Sequence, residues 1–172
     1  MGLHSTRKHN NVEKMTKQTT LGNSVSCSGV GLHSGRTVRM ALYPAPANTG
    51  IVFRRTDVDS FHSRIPARHN LVTETRLGTT LRNKHGVSVA TVEHLMAALW
   101  GAGVDNVVVE LDGPEVPIMD GSSEPFMFML ECAGVVPLMA SRRVLKLLKT
   151  VEVREGESIA RVSPNVEGDE GC

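Results

Sequence analysis

The chain has 172 residues, room for one domain or one domain and the start of another, with 40% hydrophobic and 22% charged residues as in ordinary globular proteins. Its 19 basic and 18 acidic residues leave a net charge of +1, and aromatics make up 3%, so neither an electrostatic footprint nor a stacking platform for nucleic acid is present. Cys27, Cys132 and Cys172 are odd in number and widely spaced, which excludes a disulfide framework or a cysteine zinc knuckle.

Residues 1–18 are polar and basic without periodicity and are expected to form a disordered tail. They lack the apolar stretch of a secretory signal, and no apolar run approaches the ~18 to 20 residues of a membrane span. A cytoplasmic location is expected, with room for peripheral contact with a membrane-borne substrate. His9 and Glu13 stand four apart in the tail, a spacing that metal ligands share but that a polar tail also produces by chance.

From Thr19 the chain alternates and turns often. Thr37 to Tyr43 places Val38, Met40 and Leu42 on one face, the pattern of a half-buried strand. Pro44 to Gly50 is a turn-rich connector, and Ile51 to Arg55 is a second strand. Ser63 to Ala67, Thr79 to Leu81 and Val87 to Ala90 carry weaker strand signals. A helix follows, with Thr91 as the expected N-cap, Val92, Leu95, Met96 and Leu99 at helical spacing, and Gly101 and Gly103 as the stop. Asp105 to Leu111 is expected to be a buried strand. Ser122 or Ser123, with Pro125 behind, opens a second helix that runs to about Cys132 and ends at Gly134. Beyond a boundary near Ala140, Val144 to Val153 and Ser158 to Val162 flank a hairpin signal at Arg154 to Glu157.

Three segments offer chemistry. Glu93 and His94 lie in the first helical turn; the pair suits a general base beside a metal ligand, and equally the solvated face of an amphipathic helix. Ser28 to Gly35 (SGVGLHSG) carries three glycines and His33; it is no phosphate loop, and a tight turn between strands explains it locally. In Pro117 to Ser122 (PIMDGS), Asp120 either caps the next helix or faces a cleft.

Taken in order, GVGLHSG, PAPANTGI, SVATVEHLMAAL, DNVVVE and EVPIMDGS resemble the UDP-3-O-acyl-N-acetylglucosamine deacetylase family of lipid A biosynthesis. The likeness runs from about Thr19 to Pro164. It implies an α+β fold: a two-layer domain, helices on one face of a mainly antiparallel sheet, over residues 19–140. Residues 141–172 would then be the truncated start of a second, similar domain.

The resemblance also implies zinc as cofactor, with His94 as a ligand and Glu93 as the base for the attacking water. Leu77, Gly78, Thr79 and Thr80 match a stretch that approaches the substrate, a UDP-sugar lipid, in the family. His33 and Asp120 match strongly patterned positions without an assigned role. The family's other two zinc ligands sit in an H-K-x-x-D motif, and this sequence contains none. The expectation is a chain that is inactive alone for want of the second domain; the alternative is a non-catalytic half-domain that binds a partner or a UDP-sugar.

Overall fold

The computed structural model describes residues 17–143 and 145–164. The chain divides into two compact units between Ser141 and Arg142.

In chain order the first unit contains β1 (Lys17–Leu21), β2 (Val25–Val30), β3 (Thr37–Pro44), β4 (Ile51–Arg55) and β5 (Arg64–Pro66). A 3-10 turn at His69–Leu71 leads to β6 (Val72–Glu74), β7 (Thr80–Arg82) and β8 (Ser88–Val89). Then come α1 (Glu93–Gly101), β9 (Val107–Leu111), α2 (Glu124–Ala133) and β10 (Val135–Ser141).

Alternating apolar residues build the main sheet, in the order β2-β3-β9-β4-β5. All neighbours are antiparallel except β4 and β9, which run parallel with Ile51 opposite Val107 and Arg55 opposite Leu111. The inner face carries Val38, Met40 and Leu42 from β3, Val107, Val109 and Leu111 from β9, Phe53 and Ile65. These join one core cluster with Leu95, Ala98 and Leu99 of α1 and Phe126, Met129 and Leu130 of α2. Burial of each large side chain contributes roughly 1.5–3 kcal/mol, so this single layer of contacts holds both helices on one face of the sheet. The fold class is α+β, as the sequence indicates.

The small sheet β6-β7-β8 is antiparallel. It presents the loop between β6 and β7 to the start of α1, where the Val92 amide donates to the Thr79 carbonyl at 3.4 Å.

Several elements depart from the sequence expectations. Lys17 and Gln18, assigned to the tail, begin β1, which pairs antiparallel with β10. Polarity hid the strand: the buried Gln18 amide donates to Asn48 Oδ1 at 2.9 Å and to the Ser141 carbonyl at 3.0 Å, while its Oε1 accepts from Asn106. β10 is mostly exposed and carries Pro137 within it, so neither pattern nor propensity announces it. β2, VSCSGV, is too rich in Ser and Gly to be seen locally and is set by its register against β3. The rest of the tail, His9 and Glu13 included, lies outside the described residues.

The second unit contains β11 (Val151–Glu155) and β12 (Ser158–Val162), an antiparallel hairpin turning at Gly156 with φ 58°. Its turn falls where the sequence places it, although the strand starts at Val151 rather than near Val144, which is itself outside the described residues.

Candidate active site

The N-terminus of α1 is the point on which the chemical residues converge. Thr91 does not cap the helix. The N-cap position is Val92, which has helical dihedrals and makes no side-chain cap bond. Thr91 instead takes φ 56°, a left-handed conformation that a β-branched residue adopts only when its surroundings enforce it. Its hydroxyl donates to Glu115 Oε1 at 2.8 Å.

Glu115 is 2% exposed. Its position is fixed by a bridge to Ala90: the Ala90 amide donates to the Pro114 carbonyl at 2.9 Å, and the Val116 amide to the Ala90 carbonyl at 3.0 Å. Besides Thr91, its carboxylate accepts the His33 amide at 3.0 Å and the Ser34 amide at 2.9 Å. Burial disfavours its charge, but the His33, Ser34 and Thr91 donors outweigh burial and hold the carboxyl below the usual glutamate range.

His33 rides on a tight turn in which the Gly31 amide donates to the Arg36 carbonyl at 2.9 Å, and Gly35, at φ 62°, donates back to the Gly31 carbonyl at 2.9 Å. The turn expected from the glycines is therefore present. It also packs directly on the carboxylate: a Cβ on Gly31 would overlap Ser34 Oγ and Glu115 Oε2.

Glu93 is half-buried, and its Oε2 accepts the Thr79 amide at 2.9 Å. The other oxygen faces Gly78. A Cβ built there would lie 3.2 Å from Glu93 Oε1, 3.7 Å from His33 Nε2 and 3.7 Å from Thr91 Oγ1. Three side chains from two segments, the His33 turn and the start of α1, thus converge on one residue without a side chain of its own. Leu77, just before it, is 77% exposed, and Thr80 opens β7.

His94 is half-buried beside Glu93. Asp120 accepts from the amide and hydroxyl of Ser122, at 2.9 and 2.8 Å, and the Ser122 hydroxyl in turn accepts the Glu124 amide at 3.1 Å. Ser122, not Asp120, thereby serves the first turn of α2. The amide and hydroxyl of Ser122 keep the Asp120 carboxyl below its ordinary range. So His33, Gly78, Thr79 and Glu93 come together, while the hydrogen bonds of Asp120 go to Ser122 at the start of α2.

Chemically, Glu93 has one oxygen pinned by a backbone donor and the other beside Gly78, on which the His33 imidazole also converges, an arrangement that suits a proton acceptor. The donors present do not amount to a zinc site. A catalytic zinc takes three protein ligands and keeps an open position, and no group of three or more His, Cys, Asp or Glu among the described residues could hold a metal. Among those residues, no helix is long and apolar enough to cross a membrane.

Comparison with known proteins decides the family. The LpxC family, UDP-3-O-acyl N-acetylglycosamine deacetylase, matches residues 18–169. The chain belongs to this deacetylase family. It is 49% identical over 151 residues to the UDP-3-O-acyl-N-acetylglucosamine deacetylase of Pseudoalteromonas atlantica, covering 88% of this chain and 49% of that protein. The Stenotrophomonas maltophilia relative of the same name is 53% identical over 150 residues, or 87% of this chain and 49% of that one. The Xanthomonas oryzae pv. oryzae deacetylase is 52% identical over the same proportions. The chain therefore spans about half the length of these curated relatives.

Within the family's motifs, Glu115 is the residue that local sequence reading leaves without a role. A signal was there: a carboxylate between Pro114 and Val116 in a segment otherwise apolar has to find partners if that segment is buried.

Proposed function

We propose that this chain supplies the base-bearing half of an amide hydrolase acting on UDP-3-O-acyl-N-acetylglucosamine in lipid A biosynthesis. The observation that carries the reading is the convergence of Glu93 Oε1 and His33 Nε2 on Gly78, 3.2 and 3.7 Å from where its Cβ would lie, in a chain whose relatives bear the deacetylase name. In the reaction, the oxygen of water bonds to the acetamide carbonyl carbon and the carbon–nitrogen bond breaks, leaving acetate and a free amine. Glu93 accepts the proton that water gives up. The backbone from Gly78 to Thr80, with exposed Leu77 before it, borders the space where the sugar would lie.

His94 would be one ligand of a zinc ion, whose chemistry is to polarise the carbonyl and acidify the attacking water. Two further ligands are needed, and the sequence has no H-K-x-x-D motif to provide them. Those ligands, the acid for the leaving amine and the passage for the acyl chain belong in this reading to a second domain. The reaction is placed in the cytoplasm, with peripheral approach to the membrane that holds the lipid product.

The test is acetate release from the UDP-sugar lipid with zinc supplied. The chain alone gives no turnover. Joined to the remaining half of the Stenotrophomonas maltophilia relative, it gives zinc-dependent turnover. A joined protein that folds, holds zinc and releases no acetate would overturn the reading, as would metal-dependent turnover by the chain alone.

A further inference from the structure

We propose that Glu115 is a positioning residue: its buried carboxylate ties the His33 turn to Thr91, and through Thr91 sets where Glu93 meets Gly78 and Thr79. The inference rests on the reading of Glu93 as the base, but it concerns geometry that is measurable without substrate or metal.

Glu115 joins three segments far apart in sequence. Its oxygens accept from His33 N, Ser34 N and Thr91 Oγ1, all between 2.8 and 3.0 Å. Both oxygens are used. Oε1 serves His33 and Thr91, and Oε2 serves Ser34, with a second approach from the His33 amide at 3.3 Å. An ionised carboxylate accepts at both oxygens and donates at neither. A glutamine of the same shape would turn an NH2 group toward one of these donors, so charge and not volume is what the site demands.

Thr91 is the hinge of the arrangement. Its left-handed backbone is disfavoured for a threonine, and the Glu115 bond is the side-chain contact that holds it. Two residues on, the Glu93 carboxylate must reach the Thr79 amide and face Gly78. If Thr91 relaxes toward ordinary dihedrals, the first turn of α1 rotates and Glu93 leaves that contact. The His33 turn is anchored at the same carboxylate, so one residue keeps His33 and the start of α1 in register over Gly78.

The test uses amide hydrogen exchange by NMR on the full 172-residue chain. The readout is the exchange rate of Thr79, whose amide is bound by Glu93, relative to the core amides of β9. In Glu115→Gln this ratio rises at least about tenfold, because the local contact opens while the sheet stays closed. In a Thr91→Gly background, where a positive φ is unforced, the same Glu115→Gln change moves the ratio less than about threefold. A ratio unchanged by Glu115→Gln, as a role confined to overall stability would give, overturns the proposal. So does an effect of equal size in the Thr91→Gly background. Should Glu115→Gln fail to fold, Thr91→Val removes the same hydroxyl donor, and it must raise the ratio for the proposal to stand.

Discussion

Gly31 and Gly78 show how much of this site depends on residues without side chains. Gly78 leaves room for Glu93 Oε1, His33 Nε2 and Thr91 Oγ1 to approach one another. Gly31 lets a backbone turn lie against a carboxylate that cannot step aside, because it is bound to donors on three residues. Gly31→Ala should therefore destabilise the first unit by about 1–3 kcal/mol, the usual range for an added methyl in a filled space, measured as a shift in the urea unfolding midpoint. An unchanged midpoint would mean that the turn is looser than described. The sequence marks Gly31 as one of three close glycines, and Gly78 only through the family resemblance; it does not say what either touches. His33 was readable as a turn residue, and the convergence of its imidazole with Glu93 on Gly78 was not, since the two lie far apart in the chain.

At the scale of elements, the junction of β2, the strand-like segment at Glu115 and the start of α1 is electrostatic as well as packed. Glu115 has its carboxyl below the ordinary range in the folded chain. A group depressed on folding contributes stability in full above its unfolded-state value and loses it as pH falls through the folded-state value. Urea unfolding should accordingly show stability falling on acidification below the usual glutamate value of about 4.3, with a flatter acid limb in Glu115→Gln. An identical acid limb in the variant would show that the junction does not titrate. Asp57, lowered chiefly by its hydrogen bond with Arg55, and Asp120 keep some acid sensitivity in either case.

The elements differ in how legible they were. β3, β4, β9 and the two helices follow from apolar period, because each buries one face in the common core. β1, β2 and β10 do not, because partners more than a dozen residues away define β1 and β10, and Ser and Gly dilute β2. The cap of α1 was misplaced for a related reason: Thr91 is the residue type that caps helices, but Glu115 draws its hydroxyl elsewhere.

For the molecule as a whole, the chain belongs to the deacetylase family and spans about half the length of its relatives, and the α+β architecture of the first unit puts the N-terminus of α1 beside Gly78. Sequence motifs located Glu93, His94 and the Leu77 to Thr80 stretch in the chain; folding brings Glu93, His33, Gly78 and Thr79 to one place. The central claim is that Glu93 is the base. It is tested most directly by kcat for acetate release in the protein joined to the Stenotrophomonas maltophilia half, comparing Glu93→Gln with the unaltered residue at equal zinc content. The account predicts a fall of about 10²–10⁴-fold, the range for loss of a general base, with zinc retained. An unchanged kcat would contradict it.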